Sequence, residues 1–100
     1  MQFEWDENKN QKNIKSHGID FNYAIKVFED PNRVTIWDEA HSTLEEEREI
    51  TIGKINDMLI VFVVSTDVAD VTRIISARKA EHIEEVFYYE QNNQGNVGRC

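Results

Sequence analysis

Three cations stand within the segment Arg73-Ile74-Ile75-Ser76-Ala77-Arg78-Lys79-Ala80, in a chain of formal charge −8. Such a cluster in an acidic protein is a place to hold an anion. It follows the apolar run Met58 to Val64, where a strand is expected to pass into a helix. In a strand from Val71, Arg73 shares a face with Val71, Ile75 and Ala77. Arg78 falls on the opposite face, or in the first helical turn if the helix opens near Ser76. A cation in a first turn opposes the helix dipole and asks for an anion nearby. That anion could be a phosphate, which helix N-termini also favour, or the carboxylate of Glu46 or Glu47.

Two further residues could join such a site. His17 precedes Gly18 at a junction between helices, and is either a capping and packing residue or a proton carrier. Arg48 leads a strand face, where it could equally pair with the adjacent acids. Trp5 and Trp37 read as core or interface aromatics rather than stacking platforms.

Other chemistries find little support. His17, His41 and His82 have no ligand partner at i+2 or i+4, and the single Cys, Cys100, is the last residue. Glu45-Glu46-Glu47 reads as a solvated charge run, so no metal and no cofactor is expected. Four glycines form no phosphate loop or dinucleotide fingerprint, and no nucleophile elbow exists. Cys100 reads as a frayed terminal thiol with no role.

The elements that must position these residues fit one domain of 100 residues, 40% hydrophobic. The N-terminus shows no signal-peptide pattern, and Ile55 to Thr66 is too short to span a bilayer. With no disulfide expected, a cytoplasmic protein results. The negative charge argues against diffuse nucleic-acid binding and favours a basic protein partner.

Phe3-Glu4-Trp5 suits a short strand. Asp6 caps a helix from Glu7 to about Ser16, with Lys9, Lys12 and Lys15 along one side, and Gly18 closes it. Asp20 caps a second helix, which Pro31 ends near Glu29. Strands are expected at Val34–Trp37, Arg48–Lys54, Met58–Thr66 and Val71–Ala77, the third covered on both faces. Asp38 to Glu47 is an acidic loop. A last helix from Ser76 or Ala77 carries Ile83, Val86 and Phe87. Residues 91–100 read as a disordered polar tail after a domain spanning 1–90. Helices on one face of an antiparallel meander give an α+β fold.

Taken in order, several short pieces carry a resemblance. They are Phe3-Glu4-Trp5-Asp6, Lys9 with Asn13, His17-Gly18, Phe21, Ala24, Val27-Phe28 and Asp30-Pro31. They continue with Glu46-Glu47-Arg48, Gly53 and Arg73 to Ala80, with Tyr88 or Tyr89 in the last helix. Over about residues 2 to 90 the chain resembles the BrnT family of type II toxin–antitoxin toxins. The resemblance implies a RelE-like α+β fold and a metal-independent ribonuclease that blocks translation. It also implies a BrnA-type ribbon-helix-helix antitoxin, through which the pair would repress its own operon DNA. The family pattern makes His17, Arg48, Arg73 and Arg78 the polar site, with Glu47 as a substrate contact; Lys15, next to Ser16, is a further candidate contact. Arginines suit attack of an RNA 2′-hydroxyl on the adjacent phosphate, because their planar donors match phosphate oxygens. Within this reading His17 transfers a proton, Arg73 and Arg78 clamp phosphate, and Arg48 supports them. Ser16 stands where the family often has Lys, and the chain is more acidic than the family's habit. A module that binds its antitoxin without cleaving RNA is therefore the alternative.

Overall fold

A computed structural model describes residues 1–44 and 46–97, with side chains described as far as Asn93. The elements run β1 (Gln2–Glu4), α1 (Glu7–His17), α2 (Phe21–Ala24) continued by a 3₁₀ segment (Ile25–Glu29), β2 (Val34–Trp37), β3 (Arg48–Ile55), β4 (Leu59–Val68), β5 (Val71–Lys79) and α3 (His82–Val97).

The first helix is bounded by its expected caps. The Asp6 carboxylate accepts from the Asn8 amide at 2.8 Å, and Gly18, at φ 72°, donates its amide to Ile14 O. Asp20 caps α2 in the same way, through the Asn22 amide at 2.9 Å. The expected second helix tightens to 3₁₀ geometry after Ala24, and Asp30, preceding Pro31, is extended.

The sheet has the order β1-β5-β4-β3-β2. β2 to β5 form the antiparallel meander. β1 departs from the expected all-antiparallel sheet: it adds parallel to β5, placing Glu4 beside Arg73. β4 is central, as its two-sided apolar pattern requires. On one face Phe21, Ala24 and Val27 pack against Ile55, Val61, Val63, Ile74 and Ala77. Gly53 permits this, since a Cβ there would lie 2.9 Å from Val27 Cβ and Val27 O. On the other face Tyr88 of α3 packs with Ile52, Ile60 and Ala80, with Phe62 and Phe87 alongside. Asp30 ties the two layers together by accepting from Tyr88 Oη at 2.6 Å and the Lys54 amide at 2.8 Å.

Two expectations about the last third of the chain are corrected. β5 continues to Lys79 and α3 opens at His82, so Arg78 is a strand residue and not a first-turn helical one. Pairing to β4 holds it there: Arg78 lies opposite Phe62, and Lys79 opposite Val61. α3 also runs on to Val97, into the segment read as a tail, while residues 98–100, with Cys100, lie outside the described residues.

A β-bulge corrects the facing of Arg73. Between Val64 and Ser65 the register shifts, so that Thr66 opposes Arg73 while Val64 opposes Ser76. One extra residue on β5 is absorbed there. Arg73, Ser76 and Arg78 consequently share a face with Thr66, Val64 and Phe62. Strict alternation would have put the two arginines on opposite faces. Arg48 opposes Thr66 from the other side, so Arg48, Thr66 and Arg73 form one row across three strands.

Candidate active site

Beside that row the sheet carries an open site. A cavity of about 290 Å³ lies there, lined by Asp38, His41, Arg48, Ile50, Phe62, Val64, Ser76 and Arg78. Its floor is apolar and its charged groups come from three places: the first residue of β3, the end of β5 and the turn after β2.

The Arg78 guanidinium lies over the Phe62 ring, 3.9 Å from its centroid. Its two terminal nitrogens donate to the two carboxylate oxygens of Glu84 at 2.8 Å each, and Glu81 is 3.7 Å away. The Glu84 fork raises the Arg78 pKa further, against the opposing effect of burial. For Glu84, burial works to raise the pKa, but the bonds from Arg78 and the Glu81 amide prevail and leave it below its ordinary value. The same carboxylate thus accepts from the Glu81 amide at 2.8 Å, the reach-back half of a capping box at the start of α3.

Arg48 Nε donates to Glu46 at 2.8 Å. Its backbone anchors the turn after β2: the Asp38 amide donates to Arg48 O at 2.7 Å, and the Arg48 amide donates to Ser42 Oγ at 2.9 Å. Ser42 Oγ in turn donates to Asp38 O at 2.7 Å. This closure holds His41 over the cavity with Nδ1 at 3.0 and 3.1 Å from the two oxygens of buried Asp38.

The residues singled out in the sequence do not all meet here. Arg48 and Arg78 do. Arg73 shares their face, about 10 Å from Arg48 by strand spacing, and pairs with Glu4 of β1. His17 lines a separate groove of about 220 Å³ with Lys9, Lys12, Asn13, Ser16 and Ile75. Lys15 is exposed on α1 and lines neither cavity. Glu47 borders a third cavity beside Trp37 and Leu44, and its carbonyl accepts from Thr66 Oγ1 at 2.8 Å. Glu45 lies outside the described residues. Among the described residues no three His, Cys, Asp or Glu side chains converge as a metal site.

Glu84, Asp38 and His41 do not stand out in the sequence as site residues. The spacing Asp38-x-x-His41-Ser42 upstream of Arg48 was visible, and a turn that carries its own carboxylate for its own histidine is the signal it contained. The carboxylate partners of Arg73 and Arg78 are Glu4 and Glu84, not Glu46 or Glu47.

Comparison with known proteins matches this architecture. A family model described as the ribonuclease toxin BrnT of a type II toxin–antitoxin system covers residues 5–84. The crystal structure of the Brucella abortus ribonuclease toxin BrnT superposes with a TM-score of 0.65 at 28% identity, covering 82% of this chain and 99% of that one. No curated protein matches the chain. Sheet, helices and these matches define the class as the ribonuclease toxins of type II toxin–antitoxin systems. Within that class, the chain belongs to the BrnT family.

Proposed function

We propose that this protein is an endoribonuclease toxin whose reaction runs in the cavity between Arg48 and Arg78. The observation carrying the proposal is that two arginines from non-adjacent strands line one cavity of about 290 Å³, in a chain of a ribonuclease-toxin family. A scissile phosphate entering it meets two planar cations, one stacked on Phe62 and stiffened by that contact. Donors fixed before the reaction stabilise charge that develops on the phosphorane oxygens. The attacking group is the adjacent 2′-hydroxyl, so cleavage requires RNA and proceeds on protein side chains without a metal. Arg73 takes a neighbouring phosphate on the same face. Lys9, Lys12 and Lys15 on α1 offer cations to the strand beyond it, with His17 beside them, and Glu47 stands at the rim. Loss of intact mRNA then halts translation in the cytoplasm.

Membership of a type II system implies an antitoxin. A BrnA-type ribbon-helix-helix protein fits the acidic body, and would carry the complex to operator DNA. Among the described residues no helix is long and apolar enough to cross a membrane.

A second reading has its own observation. Arg48, Arg73 and Arg78 each already engage a carboxylate, from Glu46, Glu4 and Glu84. A module that docks its antitoxin without cutting RNA would look like this too. Inducible expression separates the two. Growth arrest with fragmented mRNA, abolished by Arg78→Ala, supports the ribonuclease. Undisturbed growth with retained antitoxin binding supports the module.

A further inference from the structure

We infer that His41 is the general base of this site and that Asp38 is its positioning residue. The inference rests on the ribonuclease reading above and goes beyond it by naming the proton acceptor. His41 lines the same cavity as Arg48 and Arg78, whereas His17 lines another. Its Nδ1 meets both oxygens of Asp38, whose side chain is only 9% exposed. A carboxylate at that nitrogen holds the proton on Nδ1 and presents the lone pair on Nε2, the tautomer a base requires. Among the described residues nothing bonds Nε2. The ring itself is 68% exposed, open to an incoming strand.

The turn is built to keep this arrangement. Asp38 is fixed by its amide on Arg48 O, His41 by its amide on Asp38 O at 3.3 Å, and Ser42 clips both ends to Arg48. The base and one phosphate-binding arginine are therefore parts of one hydrogen-bonded unit. Among the described residues, the charged groups that face the imidazole are Asp38 within its own turn and, across the cavity, Arg48 with its partner Glu46 and Arg78 with its partners Glu84 and Glu81.

The step balances as a transesterification. The 2′-hydroxyl proton passes to His41 Nε2 and the 2′-oxygen forms a bond to phosphorus. The bond from phosphorus to the 5′-oxygen breaks, its electron pair staying on that oxygen, which takes a proton from water. The products are a 2′,3′-cyclic phosphate and a 5′-hydroxyl, and the imidazolium returns its proton to solvent.

The test uses the purified full chain on two oligonucleotides, one RNA and one carrying 2′-O-methyl groups, which binds but cannot react. His41→Ala should lose about 10²- to 10⁴-fold in kcat on RNA and keep its affinity for the 2′-O-methyl strand. Asp38→Asn, nearly isosteric, should lower kcat with KM unchanged, and the low-pH limb of the wild-type rate profile should vanish in His41→Ala. His82→Ala, at an exposed site on α3, is the control and should keep its rate. His41→Ala with kcat within threefold of wild type, at an unchanged thermal midpoint, overturns the inference. A His41→Ala protein that has lost 2′-O-methyl binding also overturns it, since the residue would then serve affinity. Wild-type protein that binds the strand but leaves RNA intact overturns the ribonuclease reading, and the base with it.

Discussion

Arg78 is held from several sides: a ring beneath it, a carboxylate fork beside it and a second acid nearby. A substrate phosphate must compete with Glu84 for that fork. Arg78→Ala should lower RNA cleavage by about 10²- to 10³-fold, the scale of a lost donor to a developing oxyanion. Glu84→Gln should act the other way on affinity, tightening the 2′-O-methyl strand several-fold, while costing about 1 kcal/mol of stability from the weakened charge-assisted bonds. Urea unfolding alongside oligonucleotide titration measures both. At this scale the sequence was half legible. Arg48 and Arg78 stood out by their charge in an acidic chain. Glu84 did not, because its partnership depends on where α3 starts, and no residue between Ser76 and Ala80 signals that start.

Elements account for the rest of that gap. Asp6, Gly18, Asp20 and Pro31 act through local backbone chemistry, and each boundary they mark was readable. The length of β5 depends instead on its hydrogen bonds to β4, a partner remote in the chain. The bulge at Val64/Ser65 is likewise invisible to alternation, and it alone turns Arg73 onto the face of Arg78. Asn13 shows how the outer edge of β5 is finished. Beyond the short β1, the side-chain amide of Asn13 donates to Ala77 O at 2.8 Å and accepts from the Ala77 amide at 3.1 Å. It also donates to Ile19 O at 2.8 Å, so one buried side chain stands in for a strand and clamps the α1–α2 junction. Asn13→Ala leaves these backbone groups unpaired at a cost of about 2–4 kcal/mol. A lower thermal midpoint with an intact far-ultraviolet spectrum would verify it, and Asn13→Asp should be nearly as damaging, since it cannot donate to either carbonyl.

For the molecule as a whole, acid stability draws on carboxylates held below their ordinary values, among them the part-buried Asp30 and Glu84. Burial works against the ionised form of Asp30, yet the bonds from Tyr88, the Lys54 amide and the Asn32 amide outweigh it and lower its pKa from 3.8. Glu84 is lowered from 4.5. A depressed carboxylate stabilises the fold fully above its unfolded pKa, and the contribution is lost as pH falls through the folded one. Stability should therefore drop below about pH 4.5, and Asp30→Asn should flatten the lower part of that drop in urea midpoints taken from pH 7 to 3. Glu49 works in the opposite sense: burial, Asp67 and Glu47 raise its pKa. Its ionisation burdens the fold at neutral pH, and protonation relieves it as pH falls through the raised value.

Glu84 joins two events that look unrelated. Its carboxylate holds the Glu81 amide, just before α3, and the fork of Arg78 at once. A bound phosphate that draws Arg78 away leaves Glu84 with the amide alone, whereas a carboxylate that follows Arg78 releases the amide to water. Occupancy of the cavity is thereby written into solvent exchange at a single backbone position. Deuterium uptake at the Glu81 amide, with and without the 2′-O-methyl strand, reads the state of the site from outside it.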